Sequence, residues 1–248
     1  MGNTDKLGVL SQPSINRQPI AIAEVFGPTI QGEGPSAGQP AIFVRTGFCN
    51  LKCTWCDTPY TWDWTRFDKN KEVKRLTVHD VATKVLDIIR SATGLQDQYI
   101  LVITGGEPMM QATAITELLL DIGPWFKHIE IETNGTLDPG RLTSMNNVYF
   151  NVSPKLRNSG NKSYVHDKYR FHHRMRYKFV VSADTWRADL DEVAAYAFDP
   201  EQVWIMPEGT DKHAITYSLQ ALAPAVIERG WNLTGRMHTL IWGDQRGH

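Results

Sequence analysis

The sequence predicts an α/β chain folded as a single-domain partial (β/α) barrel, and three observations carry that expectation. Strand-like and helix-like segments alternate repeatedly, with one strand pair lacking a long helical spacer. That pattern suits a mostly parallel sheet with helices packed outside it. No GxGxxG follows any strand, which argues against a doubly wound sheet with a dinucleotide site. The unusual residues Cys49, Glu107, Asn134, Ser153 and Glu208 each come just after a predicted strand, and barrel chemistry gathers at the C-terminal ends of strands.

The elements follow in order. Pro19 to Phe26 is rich in branched and apolar residues and ends at a Gly-Pro turn, so it reads as a strand. Ala41 to Thr46 is a buried strand running straight into the cysteine loop. Val78, Val81, Val85 and Ile88 keep helical spacing, widened by Ala82, Leu86 and Ile89. Thr77 with Asp80 three residues on forms a capping box for that helix. Tyr99 to Thr104 is a strand, Gly105 to Pro108 a turn, and Ala112 to Ile122 a helix. Strands follow at Ile129 to Glu132 and Val148 to Val152. Arg176 to Val181 is a strand followed by a helix through Leu190 to Ala197. Val203 to Met206 is a strand followed by a helix near Ile215 to Arg229, and Thr239 to Trp242 closes the series.

Composition bounds the function. The 248 residues lie near the upper end for one domain, and no repeat, low-complexity tract or domain-scale linker divides them. Residues 1–18 are expected to be a flexible N-terminal extension and residues 19–248 the barrel domain. With 42% hydrophobic and 21% charged residues the chain is expected to fold rather than stay disordered. A net charge of −1 gives no chain-wide positive field for nucleic acid or an anionic membrane. No apolar run approaches a membrane span, and the first residues have no secretory h-region. The expected location is the cytoplasm.

All three cysteines, Cys49, Cys53 and Cys56, lie within eight residues in a CxxxCxxC spacing, which excludes a disulfide framework. A closed zinc site needs four ligands, and His79 downstream has no finger spacing. A [4Fe–4S] cluster held by three thiolates keeps one iron open to a small molecule. The spacing favours the open cluster. A non-catalytic binding module stapled by zinc is the alternative.

Other motifs allow two readings each. In the turn Gly105-Gly106-Glu107-Pro108 the glycines let a ligand approach the backbone, and Glu107 can accept from an ammonium group. The bland reading is a strand-to-helix turn. Gln31-Gly32-Glu33-Gly34 can read the edge of a pterin or purine, or be a polar turn. Arg45, on an otherwise apolar strand, suits capture of a carboxylate, or pairs with a core acid. Thr58, two residues past Cys56, offers a hard oxygen to Mg²⁺, or caps a turn. Trp62 and Trp64 are candidate walls of the site.

These motifs resemble the radical S-adenosylmethionine (SAM) enzymes, through CxxxCxxC with Trp55 before the last Cys and through the GGEP turn after the next strand. The resemblance implies a partial barrel of the radical SAM type and a reduced [4Fe–4S] cluster that cleaves SAM to methionine and a 5′-deoxyadenosyl radical. That radical takes a hydrogen atom from the substrate.

QGEG, Arg45, CxxxCxxCDT, TGGEP and Ser153-Pro154-Lys155 together resemble the 7-carboxy-7-deazaguanine synthase family. That family's reaction is a carbon–nitrogen lyase step. It contracts 6-carboxy-5,6,7,8-tetrahydropterin to 7-carboxy-7-deazaguanine with loss of ammonia, for queuosine and other deazapurines, with Mg²⁺ and as a homodimer.

By resemblance Cys49, Cys53 and Cys56 hold the cluster and Thr58 the Mg²⁺. Ile30, Gln31, Gly32, Glu33, Arg45 and Thr104 meet the substrate. Trp55, Cys56, Asp57, Gly106, Glu107, Ser153, Pro154 and Lys155 meet SAM, with the turn Met206, Pro207, Glu208 and Gly209. His238 and the tail from Gly243 to His248 are further candidates near the substrate. A glycyl-radical-enzyme activase is the nearest rival. The segment Lys155 to Lys178 holds eight Lys/Arg and one acid. It is expected either to attract an anionic substrate or flavodoxin-type electron donor, or to be a solvated loop.

Overall fold

A computed structural model describes residues 19–92, 98–162, 164–170 and 173–247. The expected N-terminal extension, residues 1–18, and His248 lie outside the described residues.

The chain runs β1 (Ile20–Ile30), β2 (Pro40–Thr46), α1 (Lys69–Glu72), β3 (Lys74–Leu76), α2 (Val78–Ser91), β4 (Ile100–Gly105) and α3 (Ala112–Ile122). Then come β5 (Ile129–Thr133), β6 (Val148–Val152), β7 (Met175–Val181), α4 (Trp186–Ala195), β8 (Val203–Pro207), α5 (Lys212–Glu228), β9 (Asn232–Leu233) and α6 (Met237–Trp242). Among the described residues one sheet has the order β3-β1-β2-β4-β5-β6-β7-β8-β9. From β2 to β9 every pairing is parallel, while β1 runs antiparallel to both β2 and β3. The sheet is open, with β3 and β9 as its edges. The expected partial barrel is therefore borne out.

Two departures have physical reasons. The first strand continues past Gly27-Pro28 to Ile30, because a register shift between Phe26 and Thr29 takes the N–H-less proline out of the ladder. The short β3 escaped notice because its residues, Lys74, Arg75 and Leu76, carry charge rather than apolar alternation, as suits an edge strand. Thr239 to Trp242 falls in α6. The capping box of α2 is present: Asp80 N–H donates to Thr77 Oγ1 at 3.1 Å and Thr77 N–H to Asp80 Oδ2 at 3.2 Å.

Each strand side chain takes one of two faces in turn. One face is apolar: Ile42, Val44, Leu101, Ile103, Ile129, Ile131, Phe150, Phe179 and Ile205 join Val81, Val85, Ile115, Leu118 and Leu190 of the helices in the main core. The other face begins apolar, with Ala41, Phe43, Ile100 and Val102. It turns polar toward the strand ends, where Arg45, Thr104, Glu130, Glu132, Asn151 and Lys178 follow at the same two-residue period. No helix among the described residues is long and apolar enough to cross a membrane.

Candidate functional site

The residues at and after the C-terminal ends of β2, β4, β5, β6, β7 and β8 line one cavity of about 380 Å³. Nearly all the predicted site residues reach it: Ile30, Gln31, Gly32, Glu33, Arg45, Cys49, Cys53, Trp55, Cys56, Asp57, Thr58, Thr104, Gly106, Ser153, Lys155, Met206, Pro207, Glu208 and Gly209. Glu107 and Pro154 do not; both are buried beside it.

The cysteine loop is strapped on three sides. Phe48 sits in the left-handed region at φ 70°, which costs a non-glycine residue energy and is repaid by fixed neighbours. Its N–H donates to Thr61 O at 2.8 Å and its carbonyl accepts from Glu107 N–H at 2.8 Å. Farther along, Thr54 N–H donates to Ser159 O at 3.0 Å.

Gly106 faces this loop so closely that a Cβ would lie 1.9 Å from Phe48 O, and one on Gly105 would lie 2.2 Å from Thr46 O. The two glycines therefore serve contact between the turn and the cysteine loop, in addition to any ligand. Glu107 is fully buried and capped from within. Its carboxylate accepts from Met109 N–H at 2.9 Å, Thr133 Oγ1 at 2.7 Å and Asn134 N–H at 2.7 Å. Burial pushes its pKa up. Its side chain builds the turn, as the bland reading had it.

The thiols are free and half-buried, and each sulfur receives an N–H. Leu51 N–H donates to Cys49 Sγ at 3.5 Å, Asn161 Nδ2 to Cys53 Sγ at 3.4 Å and Trp62 Nε1 to Cys56 Sγ at 3.3 Å. Burial pushes the Cys49 thiol up to about 12 and raises Cys53 as well, and a bound cationic centre works against that by favouring the thiolate. Donors aimed at sulfur suit thiolate ligands. Among the described residues no group of three His, Cys, Asp or Glu is placed to hold a single metal ion. Thr58 Oγ1 stands 3.8 Å from Cys56 Sγ.

Away from the cysteines the wall is a network of charges. Lys178 pairs with Glu33 and, at 3.6 Å, with Glu132. Arg236 Nε donates to Glu33 Oε1 at 3.0 Å, its Nη1 to Gly209 O at 2.7 Å, and its Nη2 to Asp57. Burial opposes the charge on Glu33, but Lys178 and Arg236 outweigh it and hold the carboxylate well below the usual range. Burial likewise opposes the charge on Lys178, and Glu132 and Glu33 raise its pKa in spite of it.

Gln31 donates its amide to Glu130 Oε2 at 3.1 Å and Glu132 Oε1 at 3.3 Å, and Thr104 Oγ1 donates to Glu132 Oε2 at 2.7 Å. Arg45 Nε pairs with Glu24 Oε2 at 3.1 Å, so the core acid of the bland reading exists. The rest of the Arg45 guanidinium has no protein hydrogen bond among the described residues. Lys155 Nζ donates to Ser153 Oγ at 2.8 Å.

Glu130, Glu132, Lys178 and Arg236 were not singled out from sequence. The signal was there for the two glutamates. Charged residues at alternate positions of strands in a mostly parallel sheet, which usually are apolar on both faces, mark a polar interior. The basic segment Lys155 to Lys178 corrects one expectation, since it forms no single surface. Arg174 is buried, with Nη2 on Thr143 O at 2.6 Å, Lys178 and Lys155 belong to the cavity, and Lys168 pairs with Asp138 at 2.7 Å. Trp62 lines the cavity; Trp64 instead packs edge-on against Phe48 at 5.8 Å. His238 and residues 243–247 of the tail also line it.

The chain is similar to known proteins. The Radical SAM superfamily model matches residues 43–178. The chain is 31% identical to the 7-carboxy-7-deazaguanine synthase of Pyrobaculum aerophilum, over 92% of this chain and 97% of that one. It is 30% identical to the Thermoplasma acidophilum protein of the same name, over 92% of this chain and all of that one. The crystal structure of QueE from Escherichia coli superposes with a TM-score of 0.65 at 28% identity, covering 89% of this chain and 95% of that one.

Proposed function

This chain belongs to the 7-carboxy-7-deazaguanine synthase family of the radical SAM superfamily, and from that premise we propose that it converts 6-carboxy-5,6,7,8-tetrahydropterin to 7-carboxy-7-deazaguanine with loss of ammonia. It is then a carbon–nitrogen lyase of deazapurine biosynthesis. The observation that carries the reading is the single cavity shared by the three cysteines and the polar residues of QGEG and Arg45.

Cys49, Cys53 and Cys56 would hold a [4Fe–4S] cluster, which with SAM supplies hydrogen-atom abstraction. The chain's own residues bind and orient. Arg45, with guanidinium nitrogens left over beyond Glu24, presents charge to the substrate carboxylate. The backbone of Ile30, Gln31 and Gly32 meets the pterin edge, with Thr104 beside it. The Glu33 and Gln31 side chains are already committed to Lys178, Arg236, Glu130 and Glu132, so their part is to hold that wall in shape. Trp55, Cys56, Asp57, Gly106, Ser153, Lys155 and the turn Met206 to Gly209 offer the surface for SAM; Glu107 and Pro154 support it from behind. Thr58 offers its hydroxyl to Mg²⁺. The protein would act in the cytoplasm as a homodimer, reduced by a flavodoxin-type donor.

The test is an anaerobic assay of the reconstituted protein with SAM, dithionite, Mg²⁺ and 6-carboxy-5,6,7,8-tetrahydropterin, read by mass spectrometry. Formation of 7-carboxy-7-deazaguanine, dependent on Mg²⁺, is expected. Formation of 5′-deoxyadenosine alone would move the substrate elsewhere and overturn the proposal.

A further inference from the structure

We propose that Trp62 tunes the reduction potential of the cluster through a hydrogen bond from its indole to Cys56, a proposal that rests on the cluster reading above. Trp62 Nε1 donates to Cys56 Sγ at 3.3 Å, and the indole forms part of the cavity wall.

Two features set this donor apart. An indole N–H only donates, and sulfur is its one partner among the described residues. The amide of Asn161, which reaches Cys53 Sγ at 3.4 Å, also serves Ser159 O and Ser159 Oγ, each at 3.2 Å. The donor to Cys49 is a main-chain N–H that any residue but proline would supply at 51. Trp62 is also held firmly. Its N–H donates to Pro59 O at 3.1 Å and its carbonyl accepts from Trp64 N–H at 3.1 Å, while Thr61 beside it is tied by Oγ1 to Thr58 O at 2.8 Å. The indole is thus presented to the sulfur by a braced turn.

Hydrogen bonds to cluster sulfurs are among the protein's means of setting potential. The reduced state carries one more negative charge, part of it on the thiolate sulfurs. A donor at Cys56 stabilises that state more than the oxidised one and so raises the potential. Trp62 acts through Cys56, so it is a positioning and tuning residue rather than one that touches substrate.

The experiment compares wild type, Trp62→Phe and Trp55→Phe after anaerobic reconstitution. Trp55 is the matched control, because its indole N–H goes to Asn158 Oδ1 at 3.3 Å instead of to sulfur. Iron and sulfide are counted first; wild type without about four irons per chain would sink the cluster reading, and the tuning role with it. The clusters are then titrated without SAM against applied potential, read by electron paramagnetic resonance. At the potential that half-reduces wild type, Trp62→Phe is expected to be less than half reduced and Trp55→Phe to follow wild type. A Trp62→Phe curve that coincides with wild type, or equal shifts in both variants, would overturn the proposal. If Trp62→Phe takes up no cluster, the reduced wild type and Trp55→Phe decide it, each labelled with ¹⁵N at the tryptophan indoles. A ¹⁵N hyperfine coupling to the cluster is expected in both proteins, and its absence from either overturns the assignment.

Discussion

Glu33 and Arg236 stand 203 residues apart in sequence and 3.0 Å apart in the cavity wall, where the guanidinium Nε donates to the carboxylate. Lys178 takes the other carboxylate oxygen. The segment after β1, strand β7 and the C-terminal region are thereby tied at one acid, whose side chain is only 13% exposed.

Removing that acid leaves two buried cations facing each other. Glu33→Gln is expected to destabilise the fold by about 3 kcal/mol, the low end for a broken buried pair, as measured by denaturant unfolding at neutral pH. The sign of the pH dependence follows from the lowered pKa. The carboxylate's contribution is present in full above its ordinary value of 4.5 and is lost as pH falls below that toward the depressed folded value. Wild type should lose stability over that range faster than Glu33→Gln, so the two curves converge in acid. Parallel curves would refute the pairing.

Gly106→Ala adds a Cβ that would meet Phe48 O at 1.9 Å, and that atom is backbone. Overpacking of this kind costs about 1–3 kcal/mol, and relief requires the turn and the cysteine loop to part. The expected result is a lower Tm together with a lower iron content after reconstitution. Full iron loading with an unchanged Tm would show that the loop does not depend on this contact.

Arg45→Ala should weaken substrate binding more than catalysis, because a carboxylate anchor acts on bound substrate and product alike. KM for the pterin is expected to rise about tenfold or more, matching the loss of about 1.5–3 kcal/mol for a hydrogen bond to a charged group, with a smaller change in kcat. An unchanged KM would leave Arg45 as the structural partner of Glu24 alone.

Cys53→Ala removes one of three thiol ligands. Cluster content and SAM cleavage are expected to be lost together, read by iron analysis and by 5′-deoxyadenosine formation. Retained turnover would refute the ligand assignment.

Much of the site was legible because it is local. Cys49, Cys53 and Cys56 sit on one loop, and Gly105 to Glu107 form one turn, so short motifs mark them and the family resemblance reads them. The wall was not legible in the same way. Lys178 reads locally as the end of a basic run, and it becomes an interior cation only when β7 lies across the sheet from Glu33. Arg236 has no local mark at all, since its partners Glu33 and Asp57 lie far back in the chain. Short-range patterns find residues that act through their neighbours in sequence; charge pairing across a sheet depends on topology. The same limit explains why β3 and β9, too short to show a period, were missed while every long strand was found.

The two-residue period of β5 carries a further consequence, for insertions and deletions. Glu132 looks into the cavity, with Glu130 buried on the same face beneath Gln31, only because Ile129 and Ile131 look the other way. Deleting one residue within Ile129–Thr133 would reverse the strand's facing beyond the gap, sending a carboxylate toward the helices and an isoleucine into the cavity. Length variation that preserves the site is therefore expected in connections away from the cavity, such as 138–147. The reading frame of the strands is as much a part of the chemistry as the residues that line it.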